Sequence, residues 1–160
     1  MSCRHVVAPD DDRLVDVELV EATVDDFSTL AELDAESFGS DAAVVLDRLH
    51  RHCDGVRRRA HLARVGAQLV GKIHLRCDDA AGHIHDLCIR PRFRGRGLGL
   101  AMVSRATRLA LDAFPEVTLD VEAPNEAAVR LYTNVGFAAR ASWTVLRYEA
   151  SLMRLRTSRG

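Results

Sequence analysis

The hexapeptide Arg94-Gly95-Arg96-Gly97-Leu98-Gly99 constrains this chain more than any other segment, because it stands where a strand-like run gives way to a helix-like one. Ahead of it, His83–Ile89 reads as a strand, and Pro91 ends the ladder because proline has no N–H to donate. Behind it, Leu98, Met102, Ala106, Leu109 and Ala113 recur at helical spacing up to Pro115. The first amides of such a helix lack internal partners and sit at the positive end of its dipole. Glycine lets the backbone approach an anion without a Cβ and permits positive φ, so the segment reads as a phosphate-binding loop. Arg90, Arg92, Arg94 and Arg96 add charge around the same mouth. Two better-known loops fail the comparison. A Rossmann fingerprint needs glycine where Leu100 stands, and a P-loop needs Gly-Lys-Ser/Thr, whereas the only lysine is Lys72.

The rest of the chain supplies a setting for that loop. Val17–Val20 is a short strand candidate, and Thr23 three residues before Asp26 makes a capping box for a helix carrying Phe27, Leu30 and Leu33. Ser40 or Asp41 can cap a second helix with Val45, Leu46, Leu49 and Cys53 on one side. His61–Val65 and Leu69–Leu75 flank Gly66-Ala67 as an antiparallel hairpin. The two-residue period of a strand predicts His85, Leu87 and Ile89 on one face and Ile84, Asp86 and Cys88 on the other. Val117, Leu119 and Val121 alternate as another strand. Asn125 caps a helix carrying Ala128, Leu131 and Val135, which Gly136 closes, and Thr144–Leu152 reads as a final strand. Helices interleaved with strands in this order are α/β in character.

At 160 residues, 48% hydrophobic and 28% charged, the chain suits one globular domain, with no repeat or linker to divide it. Residues 1–13 are expected to be a loose tail and 14–156 the domain. No apolar run approaches the ~20 residues of a membrane span. Met1–Val20 carries Asp10, Asp11 and Asp12 instead of a basic start and an apolar block, so a soluble, cytoplasmic protein is expected. Cys3, Cys53, Cys77 and Cys88 form no CxxC pair and read as reduced thiols, while His50, His52, Cys53 and His61 match no zinc spacing; no metal is expected. Charge is uneven: residues 1–50 hold 3 basic and 13 acidic side chains, residues 51–108 hold 13 and 4. A basic middle suits a polyanionic ligand, and an acidic beginning points to a cationic acceptor.

Arg-x-x-Gly-x-Gly at a helix start, preceded by Leu87-Cys88-Ile89-Arg90-Pro91, resembles the GNAT superfamily of acyl-CoA-dependent N-acetyltransferases. A second motif of that family follows in order, with Leu119-Asp120-Val121-Glu122, then Asn125, Ala128, Leu131-Tyr132 and Gly136-Phe137. The resemblance implies a single-domain GNAT-like fold, a mixed central sheet of about six to seven strands flanked by about four helices and splayed between its fourth and fifth strands. It implies acetyl-CoA as cofactor, with its pantetheine arm along Leu87, Cys88 and Ile89. The pyrophosphate would lie on Arg94, Gly95, Arg96, Gly97, Leu98 and Gly99, with Asn125 helping to position the cofactor and Tyr132 near its sulfur. The implied function is transfer of acetyl to a primary amine by direct attack in a ternary complex.

That chemistry needs a base for the amine and an acid for the thiolate. Tyr132 is the candidate acid. Many members of the family place a glutamate on the strand before the loop, where this chain has His85, an imidazole suited to proton transfer near neutral pH. His83 can relay through water, and Asp86 and Glu122 are weaker options. The acceptor is expected to be a small-molecule or peptide amine, with neither nucleic acid nor membrane as partner; the sequence leaves the oligomeric state open, a homodimer among the options. Two other functions compete. A non-catalytic acyl-CoA sensor would keep the loop without needing an acid or base, and a nucleic-acid-binding domain would use the arginines of residues 90–108, against the acidity of the first fifty residues.

Overall fold

Polar caps and glycines set the helix boundaries. In the computed structural model, which describes residues 1–3, 14–77, 80–122, 124–138, 143–148 and 151–156, the Thr23 N–H and hydroxyl both donate to Asp26 Oδ2, at 2.9 and 3.1 Å. A 3-10 turn over Val24–Asp26 then leads into helix α1, Phe27–Phe38, which Gly39 ends at φ 68°. Asp41, not Ser40, caps α2 (Ala42–His52), its Oδ1 accepting from the Ala43 and Val44 amides at 2.8 and 3.4 Å. Helix α3, Leu98–Leu111, starts from the glycine loop. Asn125 Oδ1 accepts from the Ala128 N–H at 3.1 Å to cap α4 (Glu126–Val135), which Gly136 closes at φ 107°.

The strands are β1 (Ser2–Cys3), β2 (Glu18–Glu21), β3 (Arg58–Val65), β4 (Gln68–Cys77), β5 (Gly82–Ile89), β6 (Val117–Leu119), β7 (Trp143–Tyr148) and β8 (Ser151–Arg156). The central sheet runs β1-β6-β5-β4-β3-β2. Every pairing is antiparallel except β5 with β6, so the sheet is mixed as expected. Several boundaries differ from the sequence reading, β3 for example starting at Arg58 rather than His61. β6 stops at Leu119, short of Val121. The run Thr144–Leu152 is not one strand: β7 and β8 pair antiparallel with Tyr148 opposite Ser151. Apolar residues alternate through that point without a glycine or proline, so no turn signal was available there. Of the expected tail, residues 4–13 lie outside the described residues.

Two apolar clusters flank the sheet. Leu30 and Leu33 of α1 and Val45 and Leu49 of α2 bury against Ala60, Leu62 and Cys88 on one face. Met102, Val103, Ala106 and Ala110 of α3 bury against Ile73, Leu75, Ile84 and Val117 on the other. Each such Leu contributes about 1.5–3 kcal/mol by leaving water. α4 packs beside α3, where a Cβ on Gly99 would stand 3.2 Å from Leu131 Cδ1, so the two helices meet over a glycine. No helix among the described residues is long and apolar enough to cross a membrane.

Candidate active site

The sheet opens where β5 leaves β6. Their pairing covers only Gly82, Ile84 and the residue between, against Val117–Leu119, so among the described residues no strand pairs with the later part of β5 on that side. The Arg90 N–H donates to Val70 O at 2.9 Å, toward β4. The strand's two-residue period therefore turns the N–H groups of Leu87 and Ile89 to the open side. Arg94 Nε reaches Ile89 O from that side at 3.1 Å, and an Arg94 guanidinium N–H donates to Ser37 O at 3.4 Å, tying the loop to both β5 and α1. Gly95 and Gly97 hold φ 74° and 75°, and Gly97 is the N-cap of α3. Side chains disfavour that region by about 1–2 kcal/mol. An unpaired strand edge thus runs into a helix N-terminus framed by two left-handed glycines. Arg92 and Arg96 stack on Phe93, 4.8 and 5.6 Å from its centroid, and Arg90 pairs with Glu36 at 3.3 Å.

The faces of β5 do not follow simple alternation. Lys72 pairs with Cys88 and His74 with His85, so Ile73 alone faces two residues, Asp86 and Leu87. That is a β-bulge, with Asp86 at φ 50°. As a result Ile84 and Cys88, four residues apart, lie in opposite core clusters, and Leu87 and Ile89 pack on the α3 side. His85 therefore does not share a face with Leu87, and Asp86 is not turned away from His85; both expectations fail at the bulge. Cys88 turns its side chain into the α1–α2 cluster. Its thiol lies 3.8 Å from Leu33 O, its carbonyl faces Gly71 so closely that a Cβ there would overlap it, and burial raises its thiol pKa.

On the α1–α2 side the bulge gathers His74, His85 and Asp86 in a cavity of about 130 Å³ that is also lined by the end of α2 and by Arg48, Arg58 and Arg59. Asp86 Oδ2 lies 3.5 Å from His85 Nδ1 and 3.8 Å from His74 Nδ1. The imidazole of His85, then that of His74, holds the Asp86 carboxyl well below the usual carboxylate range, against its burial. Burial, reinforced by the charge of Lys72, lowers His74 to about 3. Nε2 of His74 and of His85 are buried without a hydrogen-bond partner. His83 stacks on His85 at 6.2 Å, shares a 2.8 Å hydrogen bond with Thr118 through Nδ1, and places Nε2 3.8 Å from Asp120. Beneath this group Lys72, fully buried, meets Asp34 at 2.8 Å.

Tyr132 lies on α4, half-buried, edge-on to Phe137 at 6.1 Å. Burial raises its pKa, which keeps the phenol protonated. Its hydroxyl has no hydrogen-bond partner among the described residues. Asn125 uses Oδ1 on its own helix cap, leaving its amide N–H groups as donors. Sequence reasoning missed His74, an isolated histidine in a hairpin strand, because only the β4–β5 register brings it to His85 at 5.4 Å between ring centroids.

Comparison with known proteins fits this geometry. The sequence model of the acetyltransferase (GNAT) family matches residues 24–137. Mycothiol acetyltransferase of Streptomyces avermitilis is 33% identical over 94 residues, 56% of this chain and 30% of that protein, so the chain spans under a third of this curated relative's length. Spermidine N-acetyltransferase from Vibrio cholerae, solved with CoA and spermine, superposes with TM-score 0.69 at 15% identity over 86% of this chain and 90% of that one. Aminoglycoside 6'-N-acetyltransferase from Acinetobacter baumannii gives 0.67 at 13% identity, over 85% and 100%. At these identities the superpositions establish the fold.

Proposed function

The chain belongs to the acetyltransferase (GNAT) family, and on that premise we propose that it transfers the acetyl group of acetyl-CoA to a primary amine by direct attack in a ternary complex. The observation that carries this reading is the unpaired edge of β5 running into the left-handed glycines at the start of α3. A pantetheine arm has amide groups able to complete that edge through the Leu87 and Ile89 N–H groups. A diphosphate suits the amides from Gly95 to Gly99 and the first turn of α3. Asn125 offers its remaining amide donors nearby in the chain's second motif. These contacts would set the thioester at the mouth of the split, between α4 and the bulge.

The chemistry then divides among a few groups. The neutral amine attacks the carbonyl carbon, the C–S bond breaks, and the sulfur leaves as a thiolate. Tyr132 protonates it, its phenol kept neutral by burial. The proton shed by the amine goes to the imidazole of His85, whose Nδ1 is held by Asp86. His83 is engaged by Thr118 and serves to stack on His85, leaving His85 as the base.

Release of free thiol from acetyl-CoA in the presence of an amine panel tests the reaction. Tyr132→Phe is expected to lose most of that turnover while binding CoA as before. An unchanged rate would remove Tyr132 from the mechanism. A melting temperature indifferent to saturating CoA and acetyl-CoA would end the whole reading.

A further inference from the structure

Among the described residues, much of the acidity of the first fifty is engaged within the fold. Asp26 and Asp41 cap helices, Asp34 holds Lys72, Glu36 meets Arg90, Asp47 meets Arg51 at 2.9 Å, and Asp16 meets Arg105 at 3.0 Å. None of these carboxylates lines the cavity above His85. What lines its mouth is arginine. Arg48 approaches Asp34 at 3.5 Å, but that carboxylate is already bound by Lys72 at 2.8 Å, so one negative charge faces two positive ones. Arg59 touches Glu21 only at 3.9 Å with both side chains near half-exposed. The Arg58 guanidinium makes no ion pair or hydrogen bond among the described residues. The lone acid in the lining, Asp86, is held by the two imidazoles.

A cavity that sets two imidazoles beside three guanidinium groups selects a ligand with two ends. Guanidinium binds carboxylate or phosphate in a fork of parallel hydrogen bonds, and a cationic polyamine would meet like charge there. At about 130 Å³ the cavity is well below the ~300 Å³ of a drug-sized site, so the inserted end is compact. We propose that the acceptor is a compact amine bearing an anionic group, a carboxylate or a phosphate, which the Arg48, Arg58 and Arg59 rim binds while the amine lies against His85. This rests on the acyl-transfer reading above for its choice of the amine end, and it departs from the cationic acceptor that the acidic N-terminal third suggested.

Isothermal titration into CoA-saturated protein tests it whether or not a given amine turns over. The probes are matched pairs: glycine and glycinamide, β-alanine and its amide, phosphoethanolamine and ethanolamine, with putrescine as the dication. At least one anionic member is expected to bind about tenfold or more tighter than its uncharged-group counterpart. Which pair shows the effect distinguishes carboxylate from phosphate. Arg58→Gln/Arg59→Gln should reduce that ratio to below about twofold, whereas Arg57→Gln, outside this cavity, should leave it intact. Circular dichroism confirms that each variant is folded, and Arg58→Lys should retain part of the preference if charge is what matters. Equal binding within a pair for all three pairs, tighter binding of putrescine, absence of any binding by the anionic probes, or a ratio that survives the double substitution overturns the proposal. CoA binding without anion preference sinks this inference and leaves acyl transfer standing, whereas absence of CoA binding sinks both.

Discussion

Asp34→Ala should destabilise this protein more than Lys72→Met, although the two remove opposite ends of one ion pair. Lys72 is fully buried, and its Nζ has Asp34 Oδ2 at 2.8 Å as its anion. Removing the carboxylate strands an ammonium group among apolar atoms, a change that costs about 3–5 kcal/mol. Asp34, by contrast, keeps Arg48 at 3.5 Å and the Ser40 hydroxyl at 3.2 Å once Lys72 is gone, and Met matches the lysine stem in length. Losing one charge-assisted hydrogen bond of several costs about 1.5–3 kcal/mol, and the exposed Arg48 can close up to recover part of it. With a urea m-value of about 2 kcal/mol/M, the midpoint should fall by roughly 1.5–2.5 M in Asp34→Ala and by roughly 1 M in Lys72→Met. The double variant carries no stranded charge and should be more stable than Asp34→Ala alone, with a coupling of about 2 kcal/mol in the cycle. A double variant less stable than Asp34→Ala, or a single loss from Asp34→Ala under about 0.5 M, would refute the claim that Asp34 is what makes a buried Lys72 tolerable.

Other outcomes follow from the site. Tyr132→Phe should lower kcat by about 10²–10⁴-fold in thiol release with the Kd for CoA unchanged, the signature of an acid absent only from the chemical step. Gly97→Ala and Gly66→Ala both place a side chain at positive φ, 75° and 56°, and each should cost about 1–2 kcal/mol in urea unfolding. Only Gly97→Ala should weaken CoA, about tenfold or more by calorimetry, because Gly66 lies in the β3–β4 turn. His74 is held at about 3 against an unfolded value near 6.5. The unfolded chain therefore binds the extra proton between those values, and stability should fall as pH drops, by about 2 kcal/mol from this group at pH 5. His61, also lowered by burial, adds in the same direction, whereas Asp86 loses its contribution only below the ordinary carboxylate range. His74→Gln should flatten the decline in denaturation midpoint between pH 6.5 and pH 5.

Much of the fold was legible because its punctuation is local. Thr23 with Asp26, Asp41, Asn125 and Gly136 are cap residues whose partners lie within four positions, so their spacing in the chain already states the contact. The glycine loop was legible for the same reason. What failed depended on pairing between distant strands. The bulge that turns His85 from Leu87 is set by the register of β4 against β5, and Asp86 at φ 50° is its only local trace, aspartate being among the residues that visit that region. His74 was invisible as a site residue because it reaches His85 only across that ladder.

The bulge also explains why Gly71, Lys72 and Asp34 belong to the same design as the site they never enter. Displacing β5 by one residue brings Cys88 opposite Lys72 and presses the Cys88 carbonyl onto Gly71, so the strand can take this path only where β4 has no Cβ. Lys72 and His74, two residues apart on β4, both lie on the α1–α2 side, where Asp34 neutralises the first and burial keeps the second uncharged. A regular strand would have carried Leu87 and His85 on one face, setting the imidazole among the α3 core residues. With the extra residue, the N–H groups of Leu87 and Ile89 face the split while His85 and Asp86 face the cavity on the other side of the sheet. Gly71→Ala should therefore disturb more than packing: by forcing β5 off β4 it is expected to lower turnover by at least about tenfold beyond what its loss of stability explains, measured well below its melting temperature. Full activity in a folded Gly71→Ala protein would mean that the bulge is not what delivers His85 to the acceptor side.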